Sequence, residues 1–244
     1  VKKCLESVTK QKFQNYEIIV FDDASTDSSK KIIKKFNNVK LIENKNKISH
    51  SSPLNQINGL YQAFKKSKGN LICLMDADDF FIKEKLNEIN DRFNKYKNIQ
   101  SLFNIPRASK KRFIFRKKSF FQSVWPTIFP TSCITLSRNS LKKFFQYSRM
   151  GDYPNLEIDA RITIFYYFFF NEYNILNKKL TVYNYDSEGI TAKIKKFSKI
   201  WWFRRKEAFS YLKFILRKKN KKFNLNLDYI ITTIFNFVIK KFLK

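Results

Sequence analysis

The chain has 244 residues, 43% of them hydrophobic, enough to bury the core of one domain, with or without an appendage, which excludes a disordered tail. With 49 Lys and Arg against 20 Asp and Glu, the formal charge is +29, a field that draws phosphates, nucleic acid or an anionic membrane face. The abundance of Lys, Asn, Ile and Phe also fits A- and T-rich codons, so charge supports a function without choosing one.

In chain order, the first residue is Val1 rather than Met and falls inside a helix-like stretch, so an upstream segment is expected to be missing. Glu17 to Phe21, EIIVF, reads as a buried strand, followed by a polar loop, Asp22 to Ser29, and a Lys-rich helix through Phe36. Val39 to Ile42 is a second short strand. From Asn55 to Lys66, Ile57, Leu60, Tyr61 and Phe64 recur at helical spacing, and Gly69 stands where a helix C-terminus would want it. Leu71 to Met75, LICLM, is a third buried strand running into Asp76, Ala77, Asp78 and Asp79. This alternation predicts an α/β fold with a mostly parallel sheet, whose ligands bind beyond the carboxyl ends of the strands. Both acidic clusters, Asp22-Asp23 and Asp76 to Asp79, lie at such ends.

Beyond Ser101 aromatics increase, and Pro106, Pro126, Pro130 and Pro154 punctuate a half expected to shape an acceptor pocket. Its longest apolar block, Ile162 to Phe170, is about half of the 18 or more residues that a membrane-crossing helix needs, so it reads as a buried element. Two helical segments follow Ile194. The run Lys195 to Arg205, KKFSKIWWFRR, could stack on nucleic acid or set Trp201 and Trp202 at lipid headgroups, but packing onto the domain is the favoured reading. Leu225 to Lys244 alternates apolar and basic residues like a surface-lying amphipathic helix. The predicted divisions are 1–100, 101–192 and 193–244, the first two being halves of one domain. Cys4, Cys73 and Cys133 have no zinc-like spacing, and an odd count with no secretory leader predicts a reducing cytoplasm. His50, in a polar loop, reads as a surface residue.

Carboxylates at a strand end suit Mn2+ or Mg2+, which prefer oxygen ligands and neutralise a departing diphosphate as Lewis acids. In an extended Asp-x-Asp the side chains at 76 and 78 point the same way, whereas Asp79, just before FFIKEKL, could instead cap a helix.

Four segments together resemble glycosyltransferase family 2 with its GT-A fold, over about Leu5 to Tyr185. They are SVTKQKFQNYEIIVFDDASTDSS (Ser7 to Ser29), SKGNLICLMDADDFF (Ser67 to Phe81), PTSCITLSRNSLKKF (Pro130 to Phe144) and, more weakly, the patch around LEIDARI (Leu156 to Ile162). The resemblance implies that Asp23 reads the nucleotide base, with Asp22 and Ser25 shaping the loop. It implies that Asp76 lies near the ribose, that Asp78, with Asp76, holds the metal, and that an acid ahead of a helix in the second half is the catalytic base. Asp159 is the first candidate for that base and Glu157 the second, with a helix-terminal acid or a partner of Arg161 as the plain alternative for Asp159. Lys193 and Lys195 are charge-based candidates for diphosphate contacts.

The family also begins with a strand ending in a Pro-Thr-Tyr-Asn-like turn, which would precede Val1; the sheet here is therefore expected to lack its first strand, with activity reduced or lost. Ala24 stands where the family usually has Gly, and the Arg often found ahead of the metal motif is not evident around Leu54 to Gly59.

The resemblance thus implies an inverting transfer of sugar from a nucleoside-diphosphate-sugar to a hydroxyl of a glycan or lipid-linked acceptor, in polysaccharide or lipopolysaccharide synthesis. The expected place is the cytoplasm, beside the inner face of the plasma membrane, with peripheral contact to anionic lipid and no nucleic acid. The rival is a basic nucleic-acid or membrane-surface binding protein without catalysis, which has no use for carboxylates at two strand ends. A nucleotidyltransferase would usually show a Gly-rich phosphate loop, and the four glycines form none.

Overall fold

The computed structural model describes residues 1–108, 113–115, 125–184 and 194–242. Helix α1 (Lys2–Thr9) precedes a parallel pair, β1 (Ile18–Asp23) and β2 (Val39–Asn44), joined through the short α2 (Ser29–Ile33). Then come α3 (Ser52–Lys66), β3 (Leu71–Cys73), β4 (Phe80–Phe81) and α4 (Lys85–Lys95). The second half supplies β5 (Ser101–Ala108), β6 (Ile134–Ser137), α5 (Arg138–Tyr147), α6 (Ile158–Phe165) and β7 (Ile175–Tyr183), before α7 (Lys199–Lys218) and α8 (Leu227–Phe242).

A five-stranded sheet runs in the order β3-β6-β5-β7-β4, so strands from both halves share one hydrogen-bonded layer. Within it β3, β5 and β7 point one way and β6 and β4 the other, while β1 and β2 are parallel to each other. This is the predicted α/β architecture, flanked by helices and continued by a helical C-terminal extension.

Local chemistry sets the element ends. The Ser51 side chain caps α3 by accepting from the Leu54 N–H at 3.3 Å, with Pro53 in the first turn. Helix α3 ends at Lys66 with Ser67 extended, so Gly69 is not its cap; the Gly69 N–H donates to Glu17 instead, at 2.9 Å. Gly59 does carry a steric role, because a Cβ there would lie 2.8 Å from the Phe21 ring, and its absence lets α3 lie close on β1. Strand β3 stops at Cys73 rather than Met75, and α2 at Ile33 rather than Phe36.

The core lies between the large sheet and helices α5, α6 and α7. Phe103, Ile134, Leu136, Leu141, Phe144, Ile162, Phe165 and Tyr166 are buried, and α7 adds Phe209, Leu212 and Ile215. The apolar block after Ile162 lies in this core as α6 and a π-helical turn, Tyr166–Phe170, that ends at Asn171 in the left-handed region. The start of α7 joins the core through Trp202, which is buried and stacked on Phe235 with ring centroids 4.4 Å apart. Helix α8 has a different construction from a usual surface helix. Its buried positions are Asp228, Thr232, Asn236 and Ile239, and most of its apolar side chains face outward. No helix among the described residues is long and apolar enough to cross a membrane.

Candidate active site

Strand β1 delivers Asp22 and Asp23 to its carboxyl end. Asp22 is buried; its Oδ2 accepts from the Ser25 N–H at 3.2 Å and faces the Lys30 ammonium at 3.5 Å, which closes the loop as an Asx-type turn. Ala24, between them, has φ 56°, the left-handed conformation that Gly adopts without strain. Asp23 is half-buried and accepts from the Asn44 amide at 3.1 Å, tying the ends of β1 and β2 together.

The second acidic cluster follows β3. Residues 76 to 79 are not extended: the Asp79 N–H returns to the Asp76 carbonyl at 3.3 Å, so a turn rather than strand alternation brings these acids together. The Asp76 N–H is anchored on the Ser132 hydroxyl at 2.8 Å, and the Thr131 hydroxyl bonds its carboxylate. Asp78 is exposed. Asp79 is fully buried and accepts from the Asn184 N–H at 2.9 Å; helix α4 begins only at Lys85, so Asp79 does not cap it. Beneath the turn the buried Lys85 ammonium donates to the Ser132 carbonyl at 2.5 Å and the Thr181 hydroxyl at 2.8 Å. Burial pushes the Lys85 pKa down to about 8.

Helix α6 brings the third component. Asp159 stands in its first turn and accepts from the Ala160 N–H at 2.7 Å. Its supposed partner, Arg161, points elsewhere: the buried guanidinium donates to the backbone carbonyls of Leu156 at 2.9 Å and Tyr153 at 2.6 Å, and to those of Ser148 and Asp152. Arg161 thus clamps the loop that leads into α6, and Glu207 of α7 holds the same loop through the Asn155 N–H at 2.7 Å. Glu157, at the N-cap, is buried and ion-paired with Arg204. Among the described residues Asp159 forms no ion pair, although the Arg204 charge reaches it as well.

These acids feel one another. Burial first, then the charges of Asp79, Asp78 and Asp159, push Asp76 up to about 7. Burial and the neighbouring Glu157 push Asp159 up to about 7. A set of oxygen donors destabilised by its own negative charge is one that a divalent cation would relieve. Among the described residues no group of three or more His, Cys, Asp or Glu is arranged to hold a metal ion. Mn2+ and Mg2+ take one or two protein carboxylates and leave other positions to phosphate and water. Asp76, raised by burial and by the charge of Asp78 beside it, and the exposed Asp78 supply oxygen donors of the kind such an ion takes. Of the remaining candidates, Lys195 is exposed just ahead of α7, Lys193 lies outside the described residues, and His50 is exposed on the loop before α3.

Residues 1–174 match the family described as glycosyl transferase family 2. The chain belongs to this family. Curated relatives include the glycosyltransferase GlyG of Streptococcus pneumoniae, 34% identical over 90 residues that make up 35% of this chain and 28% of GlyG. Another is the UDP-Glc:alpha-D-GlcNAc-diphosphoundecaprenol beta-1,3-glucosyltransferase WfaP of Escherichia coli, 33% identical over 34% of this chain and 31% of WfaP. The chain thus spans less than a third of the length of either. Among solved structures, S. aureus TarS in complex with UDP-GlcNAc superposes with a TM-score of 0.60 at 15% identity, covering 98% of this chain and 68% of that one. The Pyrobaculum calidifontis mannosyltransferase PcManGT in complex with GDP-Man and Mn2+ superposes with a TM-score of 0.53 at 14% identity, covering 98% and 65%. At such identities the likeness establishes the fold, and the family 2 chain has the GT-A arrangement.

Residue-level reasoning missed the supports of this family 2 site. Thr131 and Ser132 stood inside the recognisable PTSCITLS segment and could have been found there. Arg204 and Glu207 act across about 50 residues of sequence on a different helix, and nothing local marks them.

Proposed function

We propose that this family 2 chain transfers a sugar, with inversion, from a nucleoside-diphosphate-sugar to a hydroxyl of a glycan or lipid-linked acceptor. The observation that carries the proposal is the placement of Asp159, from the start of α6, near enough to Asp76, beyond the end of β3, for its charge to help push the Asp76 pKa up. The donor would lie along the carboxyl ends of β1 and β3. There Asp23 reads the base, Asp22 and Ser25 hold the loop in shape, and Asp76 lies near the ribose. Asp78, with Asp76, would hold Mn2+ or Mg2+, which when bound supplies Lewis-acid neutralisation of the diphosphate. Lys193 and Lys195 are proposed to steer the same diphosphate.

Asp159 takes the proton of the acceptor hydroxyl as that oxygen bonds to the anomeric carbon and the bond to the diphosphate oxygen breaks on the opposite face. A base so positioned contributes about 10² to 10⁴ in rate. Glu157, bound to Arg204, is left a supporting role. Residues 1–100 would form the donor half, 101–192 the acceptor half and 193–244 a helical extension. The activity of WfaP, a transferase onto a diphosphoundecaprenol-linked sugar, supports a lipid-linked acceptor in polysaccharide synthesis. The proposed place of work is the cytoplasmic face of the plasma membrane.

Donor titration tests the reading. A nucleotide sugar should bind in the presence of Mn2+ and much more weakly without it, and Asp78→Ala should abolish both that dependence and transfer. Undiminished turnover in Asp78→Ala would remove the metal site, and tight salt-sensitive binding of any polyanion in place of the donor would favour the rival binding protein.

A further inference from the structure

Helix α8 is built with its polar side inward. Asp228 pairs with Arg205, and the Asn236 amide donates to the carbonyls of Trp202 at 2.9 Å and Thr232 at 2.8 Å. These positions, with Thr232, recur every four residues and form the face that rests on α7. The opposite face carries Ile230, Ile234, Phe237, Val238 and Phe242, with Ile234 55%, Phe237 65% and Phe242 68% exposed. No described residue covers it.

The face extends onto the start of α7. Phe235 stacks on Trp202, and Phe197, 63% exposed, packs on both Trp202 and Trp201 with centroids 6.2 and 5.2 Å away. The Arg205 guanidinium lies over Trp201 at 4.6 Å. Exposed lysines border the patch, Lys195 and Lys196 just ahead of α7 and Lys240 and Lys241 near the end of α8. Aromatic rings beside cations, bordering an apolar strip, match a bilayer interface, where ring bodies enter the acyl boundary and cations meet lipid phosphate.

We infer that the outer face of α8, with Phe197 and Trp201 beside it, docks on an anionic lipid bilayer, the helix lying flat in the interface. Charge complementarity selects this occupant. A second copy of the chain would bring one +29 body against another, whereas an anionic surface attracts it. With its inner face held on α7 by the Asp228–Arg205 pair and the Asn236 amide, the helix presents its outer apolar face flat to such a surface. This inference goes beyond sugar transfer and stands or falls independently of it.

The test is sedimentation of the full chain with phosphatidylcholine vesicles, with and without phosphatidylglycerol. It is repeated for a quadruple variant, Ile230→Ser, Ile234→Ser, Phe237→Ser and Phe242→Ser, that keeps every charge. The wild-type chain should follow the anionic vesicles, and the variant, with unchanged circular dichroism, should bind them more weakly by about tenfold or more. Equal binding by the variant would reduce the attraction to charge alone and overturn the inference. So would a wild-type chain that stays in the supernatant, or a dimer that the variant abolishes, which would assign the face to a second copy. A second readout needs no variant: tryptophan fluorescence of the bound wild-type chain should be quenched by lipids brominated in their acyl chains, and unquenched emission would overturn the docking geometry.

Discussion

At the scale of single residues, the site is a balance of buried charge. Asp76 and Asp159 are both held at about 7, against an ordinary value of 3.8. A carboxylate whose folded pKa is raised binds its proton more tightly in the folded chain, so its stabilising share is complete below the unfolded value and is lost as pH rises through the folded one. A divalent cation would offset that loss where the acids are ionised. Mn2+ should therefore raise Tm more at about pH 8 than at about pH 5, and equal shifts at the two would count against a carboxylate-held ion. Arg204 is the counter-charge that keeps Glu157 quiet beside Asp159. Arg204→Met should cost about 3 kcal/mol in chemical denaturation, with most of it recovered by adding Glu157→Gln; a cost below about 0.5 kcal/mol would mean the pair is idle. At Ala24 the left-handed backbone predicts that Ala24→Gly stabilises by about 0.5 kcal/mol, the relief of strain exceeding the entropy added to the unfolded chain. A lower denaturation midpoint would contradict that account. Asp76, Asp78 and Asp23 were legible as acids at the ends of apolar runs, because a buried strand and its polar exit are both local signals. What distinguishes Asp159 from Glu157 was not legible, since it depends on an arginine from another helix.

Among the elements, the order of strands and helices could be read from periodicity, and their ends could not. Helix α3 was expected to stop at a glycine and instead stops at Ser67, because the Gly69 N–H is committed to Glu17. The Asp76 to Asp79 segment was expected to be extended and is a turn, because its backbone closes on itself and on Ser132, supplied by the segment before β6. Helix α8 was legible as amphipathic, but sequence alone does not reveal which side faces the domain. Gly59 is the point where α3 and β1 meet, and a Cβ 2.8 Å from the Phe21 ring forces one of them to move. Gly59→Ala should lower stability by about 1 kcal/mol, overpacking outweighing the gain in helix propensity, and should weaken donor binding as the end of β1 shifts. A stabilised Gly59→Ala chain with unchanged donor affinity would show that the contact yields freely.

Over the whole molecule, a chain of charge +29 gathers the charges of Asp78, Asp79 and Asp159 around one buried acid, Asp76. The general basic field attracts any anion, whereas the acidic site, on the proposed reading, would admit phosphate only with a cation between. The fold class was legible because alternating strands and helices and the resemblance to family 2 point to the same architecture. The bilayer-facing strip was only half legible, since its meaning comes from the packing of α8 on α7. Asp159 is the proposed base that acts on the acceptor. The decisive measurement is therefore steady-state sugar transfer by Asp159→Asn beside its Mn2+-dependent donor affinity. The account predicts a fall in kcat of about 10² to 10⁴ with donor affinity kept within about twofold. Transfer at the wild-type rate, or donor binding lost in step with activity, would contradict it.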